Sequence, residues 1–465
     1  MIGKQALLLA YYGDDFTGST DALEFLSRAG VNTILFIEPP TQEKLANYKE
    51  VQAIGVAGAS RAMPPSVMER ELFEAFTALK MLGAPHVHYK VCSTFDSSPT
   101  IGSIGKAADV GKQVFNAAFI PLLVAAPALG RYCVFGNLFA RMGIGSQGEI
   151  YRLDRHPSMS RHPVTPMEEG DLRLHIAKQT TQRIELMDIL TIKFKKELAY
   201  EKLQQYIDKG SPIVLFDALY VDQLLPIAQL MDDFADVAKP LFSIGSSGIE
   251  MALGEYWKEK GLTREKKNWE AAGRARSMLV VSGSCSPVTA EQINFALEHG
   301  FVEVAISAIA TASSVNGGVA LQYYVEQIVG LIQKGHAVIA HSSLGSHDPR
   351  IEETYHVLSE QGLTDEEIRA KTALLYGEIL GLIALGVAEE IHLQRLVIAG
   401  GDTSSFVART MGIEAVEMIA PVSPGAPLCK AYAPESVVNG IEVNFKGGQV
   451  GSKDYFITVL EGKTS

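Results

Sequence analysis

Cysteine is scarce: Cys92, Cys133, Cys285 and Cys429 are the only four in a chain of 465 residues. Their spacing fits no metal motif and no disulfide framework, which points to a reducing compartment. An excess of positive charge is missing too. Lys and Arg number 41 against 53 Asp and Glu, a net charge of −12. That balance argues against non-specific binding to nucleic acid or to an anionic membrane. It also means that an anionic ligand needs local basic groups to overcome the overall field. The first apolar run is cut short by Asp14 and Asp15, which is strand patterning and not a signal peptide. Of the longest apolar stretches, FIPLLVAAPALG is short and holds two prolines, and LLYGEILGLIALGVA holds Glu378 and reads as a buried helix. No Walker A sequence occurs, and no G-x-G-x-x-G follows a first strand. Both absences count against a P-loop enzyme and an NAD-type oxidoreductase. The expectation is a cytoplasmic protein with neither membrane nor nucleic-acid partner.

What the chain does have is apolar content, 47% of residues, enough for two domains. Strand-like runs alternate with helical stretches. LLLAYYG, NTILFIE, VQAIGVAG, HVHYKVC, IPLLVAAP, PIVLFDA and PLFSIG come first. SMLVVSG, VEVAISA, HAVIAHSS, RLVIAGG, EAVEMIA and IEVNFKG follow. Most are apolar throughout and do not alternate, as strands buried on both faces should be. The fold class expected is α/β, with two domains, each a mostly parallel sheet flanked by helices. The most charged, least patterned stretch is KEKGLTREKKNWEAAGRARS. It places a linker at 258–277 between domains 1–257 and 278–465. A second stretch, 141–171, is rich in Gly, Pro, Ser and His and is expected to be a long functional loop.

The segment YYGDDFTGSTDALEFLSRAG sets two adjacent carboxylates between a strand and a helix. Apolar residues at Ala22, Phe25, Leu26 and Ala29 recur at helical spacing, and Gly30 is a stop signal. Asp14 and Asp15 then stand at the carboxyl end of a strand, where open α/β sheets take their ligands. The plainer alternative is that one of them serves the helix N-terminus. Three basic residues, Arg61, Lys90 and Arg131, also lie towards carboxyl ends of strand runs. As a set facing the aspartates they suit an anion that carries a hydroxyl. Arginine grips a carboxylate through paired hydrogen bonds, and an aspartate accepts the hydroxyl proton.

In the second half, three strand-to-loop junctions are made of small residues. They hold Gly283, Ser284 and Ser286; Gly400, Gly401, Asp402 and Thr403; and Gly447, Gly448 and Gly451. Glycines let backbone N–H groups approach an anion, and helix starts add unpaired donors. Together they suit a nucleotide's phosphates. His156 and His162, in RHPSMSRHP, are not spaced as a helical metal pair. With His175 they read as loop structure or loop contacts to a substrate, and no metal-ligating residue is assigned.

These residues, taken in order, resemble the four-carbon acid sugar kinase family. YGDDFTGSTD is similar to its opening motif. The likeness continues through GASR, HYKVCST, RHPSMSRHPVTPM, SIGSSGIEMAL, VSGSCSPVTAEQI, AGGDTS, PGAP and FKGGQVGSKDYF, over nearly the whole chain. The resemblance implies an ATP-dependent kinase that binds a sugar acid in its N-terminal domain and nucleotide in its C-terminal one. Substrate contacts would fall on Asp14, Asp15, Arg61 and Lys90, with Asp15 the base and Asp14 positioning the hydroxyl or the metal. Nucleotide contacts would fall on Ser284 or Ser286, Gly400 to Thr403, and Gly447 or Gly448, with Mg²⁺ accompanying ATP. The chain departs from the family pattern at CSTFDSSPTIGSIG, where an acid near Asp96 replaces an arginine, and in the segment after Arg131. Ser93, Asp96 and Arg131 would therefore shape the substrate pocket. The implied substrate is a 3-oxo-tetronate or a branched relative such as 3-oxo-isoapionate. A homodimer is the assembly considered. Two rivals stay open: a nicotinamide-dependent sugar-acid oxidoreductase, and a non-catalytic sugar-acid sensor on a kinase scaffold.

Overall fold

Runs such as LAYYG and AIGVA, apolar from end to end, form strands that are buried along their whole length. The computed structural model describes residues 7–142, 148–162, 164–193, 196–210, 212–264, 269–307 and 317–464. Positions 143–147 and 163 of the expected long loop and 265–268 of the expected linker lie outside these. Two compact units result. One takes Met1–Ile34 and Glu38–Lys267, the other Leu35–Ile37 and Asn268–Ser465. Both are α/β with mostly parallel sheets flanked by helices.

The first unit contains β1 (Leu9–Gly13), the first half of β2 (Thr33–Phe36), β3 (Ala53–Ala57), β4 (His86–Lys90), β5 (Ile120–Leu123), β6 (Arg131–Val134), β7 (Asn137–Arg141), β8 (Ile150–Arg152), β9 (Ile184–Met187), β10 (Ile213–Phe216) and β11 (Leu241–Gly245). Its main sheet runs β2-β3-β1-β4-β11-β5-β10-β9. β1 pairs in parallel with β3 on one side and β4 on the other. After β1 the chain goes out to β2, returns to β3 beside β1, then crosses to β4 on the other side of β1. The crevice at such a reversal, outside the strands' carboxyl ends, is where open sheets bind ligands. Phe76, Phe115 and Phe242 pack beneath this sheet, with Phe242 5.0 and 5.1 Å from the other two ring centres.

The segment 141–171 departs from expectation. It contains β8 and two short 3-10 turns, Leu153–Arg155 and Met159–Arg161. β8 joins β7 and β6 in a small antiparallel sheet. The β6–β7 turn puts Phe135 and Gly136 at φ 50° and 81°. Their N–H groups donate to the two oxygens of Asp217, at 2.6 and 2.9 Å.

The second unit contains β12 (Met278–Ser282), β13 (Val302–Ala305), β14 (Val338–His341), β15 (Arg395–Ala399), β16 (Ala415–Ser423), β17 (Ala426–Tyr432) and β18 (Glu442–Lys446). The order is β13-β14-β12-β15-β18-β17-β16. From β13 to β18 the pairs are parallel, and β17 is antiparallel to both its neighbours. The same reversal occurs here between β12 and β15. The LLYGEILGLIALGVA stretch lies in the helix Asp365–Glu390. Leu380, Ile383, Ala384 and Val387 are fully buried, while Leu374 and Leu382 are exposed. Among the described residues this is the one helix long and apolar enough to cross a membrane.

Candidate active site

In the first unit the reversal point carries Asp14 directly after β1. Its N–H donates to the Lys90 carbonyl at 2.8 Å, and its own carbonyl accepts the Arg61 N–H at 3.0 Å. One residue's backbone thus joins the ends of β1 and β4 to the turn after β3. The Asp14 side chain is 2% exposed, and among the described residues its Oδ1 has no hydrogen-bond partner. Burial pushes its carboxyl up to about 7, with Arg61 opposing and Asp15 assisting.

Asp15 has a different task. Its Oδ1 accepts the Gly18 N–H at 2.6 Å and caps the helix Phe16–Arg28, and its Oδ2 pairs with Arg61 Nη2. The plainer alternative, a helix N-terminal residue, holds for Asp15. The Asp15 carboxylate thereby holds Arg61 beside Asp14, whose charge also acts on the guanidinium.

Lys90 ends β4 and is buried. Its Nζ lies 3.5 Å from Asp21 Oδ2 and donates to the Val91 carbonyl at 3.2 Å. Burial works against the ammonium, but Asp21, Glu250 and Asp14 together hold its pKa above the ordinary lysine value. Asp96 acts electrostatically on Asp14, Arg61 and Arg131, so the altered segment does reach this cluster. Ser93 sits half-buried in the turn after β4.

In the second unit the loops after β12, β15 and β18 converge. A Cβ on Gly283 would stand 2.4 Å from Thr403 Oγ1, and one on Gly400 2.6 Å from the same oxygen. A Cβ on Gly448 would stand 3.1 Å from both Ser284 Oγ and Ser286 Cβ. Gly400 also has φ 127°, which favours glycine. Gly401 opens the helix Gly401–Thr410, and a Cβ there would meet nothing within 4 Å. Asp402 follows in that first turn, and its side chain lies outside the described residues. Ser286 precedes the helix Pro287–Glu298, and among the described residues its buried Oγ has no partner. Gly447 is buried at the end of β18. A crowded glycine cradle, a free helix start and an unpartnered hydroxyl fit a polyphosphate.

Two family models cover the chain. A sugar-binding N-terminal domain matches residues 9–253, and a nucleotide-binding C-terminal domain matches 279–456. A 3-oxo-isoapionate kinase of Paraburkholderia graminis is 41% identical over 458 residues, covering 98% of this chain and 95% of that one. The chain belongs to the four-carbon acid sugar kinase family. A 3-oxo-tetronate kinase of Pectobacterium atrosepticum is 27% identical over 96% of this chain and 97% of the relative. A solved Salmonella typhimurium LT2 protein shares the fold, with TM-score 0.74 at 23% identity over 98% of both chains. These curated relatives are kinases, so the oxidoreductase and sensor readings have no support among them.

Other expected residues of this kinase are spent on structure. Arg131 gives its Nη1 to the carbonyls of Leu129, Gly130 and Arg141, at 3.1, 3.4 and 3.0 Å. That ties down the β6–β7 hairpin, although its buried Nε keeps no partner among the described residues. The three histidines stay apart in role. His156 and His162 accept nearby backbone N–H groups, and His175 bonds Ser97 and Gln179. Sequence reasoning missed Glu250. It is wholly buried 3.4 Å from His88 Nε2, and burial pushes its carboxyl up to about 8 against the pull of Lys90. His88 moves the other way, down to about 3 through burial and the neighbouring Lys90. Both shifts favour the neutral form. Lys446 was missed as well. Its signal, a lysine closing an apolar strand, is the one that singled out Lys90.

Proposed function

We propose that this kinase transfers the γ-phosphoryl group of ATP to a hydroxyl of a branched four-carbon-type sugar acid, with 3-oxo-isoapionate as the first candidate. The observation that carries this reading is the buried Asp14 carboxyl, its Oδ1 without a hydrogen-bond partner among the described residues, flanked by Arg61 and Lys90 at the reversal point of the sugar-binding unit. The name of the 41% identical relative supports the choice of acid.

In this reading Arg61 and Lys90 bind the carboxylate. Asp14, ionising near neutral pH, accepts the proton of the attacking hydroxyl. The base moves from Asp15 to Asp14, because both Asp15 oxygens are engaged. Ser93 and Asp96 border the acid, and Arg131 shapes the hairpin behind it. Ser284, Ser286, Gly400, Gly401, Asp402, Thr403, Gly447 and Gly448 hold the phosphates. When bound, Mg²⁺ neutralises charge on the phosphates. The domain roles follow: 1–257 for the acid, 278–465 for the nucleotide. Four free cysteines suit a cytoplasmic setting.

The test is ATP consumption against 3-oxo-isoapionate, 3-oxo-tetronates and plain tetronates, with a nicotinamide absorbance control. A branched acid preferred by about tenfold or more in kcat/KM, the scale set by one apolar group, supports the reading. Preference for an unbranched acid replaces the substrate. No ATP turnover with any acid overturns the proposal. Sedimentation of the same sample tests for a homodimer.

A further inference from the structure

Lys446 is fully buried at the end of β18, directly before Gly447. Its ammonium points back into the protein. Nζ donates to the Gly447 carbonyl at 2.9 Å, to Thr289 Oγ1 at 3.0 Å and to the Gly448 carbonyl at 3.4 Å. Thr289 Oγ1 in turn donates to the Gly448 carbonyl at 2.9 Å and accepts Ser284 Oγ at 3.2 Å. One turn on, Gln292 Nε2 holds the carbonyls of Val450, Gly451 and Ser452 at 2.9–3.0 Å. The glycine turn is thus strapped to the helix Pro287–Glu298, and the strap converges on one ammonium.

That ammonium has no carboxylate partner among the described residues. The helix Pro287–Glu298 presents Thr289, and the helix Tyr455–Glu461 presents the Tyr455 ring, 5.6 Å away. β15 sets Ala399 beside it in register. The charged residues of these two strands, Arg395 and Glu442, pair with each other at the opposite end. Asp454, just before the last helix, is held by Ser452 Oγ. Burial alone pushes Lys446 down to about 7.

We propose that Lys446 is the positioning residue of the nucleotide site, locking the Gly447–Gly448 turn against the Ser284 loop and lending it an uncompensated positive charge that an anionic ligand satisfies. The inference rests on the reading of these loops as the nucleotide site. It has a consequence that a purely structural lysine lacks. Bound polyphosphate raises the affinity of Lys446 for its proton, so binding takes up a proton above pH 7. The neutral amine offers two donors to three acceptors, and the charged form completes the set.

The experiment is calorimetry of ATP binding without sugar acid. At pH 8, in two buffers of different ionisation enthalpy, wild-type protein should take up most of one proton. Lys446→Met should take up none and bind ATP about tenfold or more weakly, the scale of one charge-assisted bond. Its melting temperature without ligand should fall, because the carbonyls of Gly447 and Gly448 and the Thr289 hydroxyl lose their donor. Zero uptake by the wild-type protein overturns the proposal even if the variant fails to fold. Gly401→Val serves as the control for the site. If it weakens ATP binding and Lys446→Met does not, the lysine is structural and the site stands. If neither weakens it, the nucleotide-site reading fails as well.

Discussion

At the scale of single residues, Asp14 and Asp15 are neighbours with opposite fates. Asp15 faces the helix start and Arg61, while Asp14 turns inward, its Oδ1 without a hydrogen-bond partner among the described residues. Asp14→Asn should lower kcat by about a hundredfold or more, as loss of a general base does. It should also stabilise the protein in a pH-dependent way. The folded-state pKa is raised from 3.8 to about 7, so the native state binds the proton more tightly than the unfolded chain. Its stabilising effect is complete below pH 3.8 and is lost as pH rises towards 7. The melting temperature of Asp14→Asn should match wild type near pH 4 and exceed it at pH 8. Equal melting at both pH values would mean that the carboxyl is not buried as described.

Arg61→Lys keeps the charge and loses the fork that spans Asp15 and an incoming carboxylate. A lost charge-assisted bond is worth roughly 1.5–3 kcal/mol, or about ten- to a hundredfold. The loss should fall on kcat/KM for the acid and leave the KM for ATP unchanged. An effect on ATP alone would make Arg61 a nucleotide contact.

At the scale of elements, the helix Phe16–Arg28 shows what the aspartate pair does for the fold. Asp15→Ala removes the cap and should cost about 0.5–2 kcal/mol in urea denaturation. Asp15→Asn keeps a competent cap, so its stability should stay near wild type. Both release Arg61 and should raise the KM for the acid. If Asp15→Asn instead abolished turnover at saturating substrate, the base would return to Asp15. Elements also differ in how readable they are. Every strand-like run quoted from the sequence forms a strand, most of them because burial on both faces removes alternation. β6, β7 and β9 went unread because they are only partly buried and their sequences carry polar residues in between.

At the scale of the whole molecule, two units use the same device, a sheet whose order reverses beside its first strand. Each brings together residues from loops far apart in sequence. Gly401→Val tests the second unit by itself. A Cβ at Gly401 meets nothing, so the fold should survive while close approach of phosphate is blocked. ATP affinity should drop, and sugar-acid affinity measured without nucleotide should not change. A folded variant with normal ATP binding would remove this loop from the site.

Composition, run lengths and loop residues determined the fold class, the apolar strands, the acidic pair and the glycine-rich junctions. These are local properties, and local chemistry is written in adjacent residues. The order of strands, the different partners of Asp14 and Asp15, the partners of Lys90 and the burial of Glu250 and Lys446 were decided only in three dimensions. They depend on which distant segments pack together. A side chain's direction and its desolvation belong to that packing, and no neighbour in sequence records them.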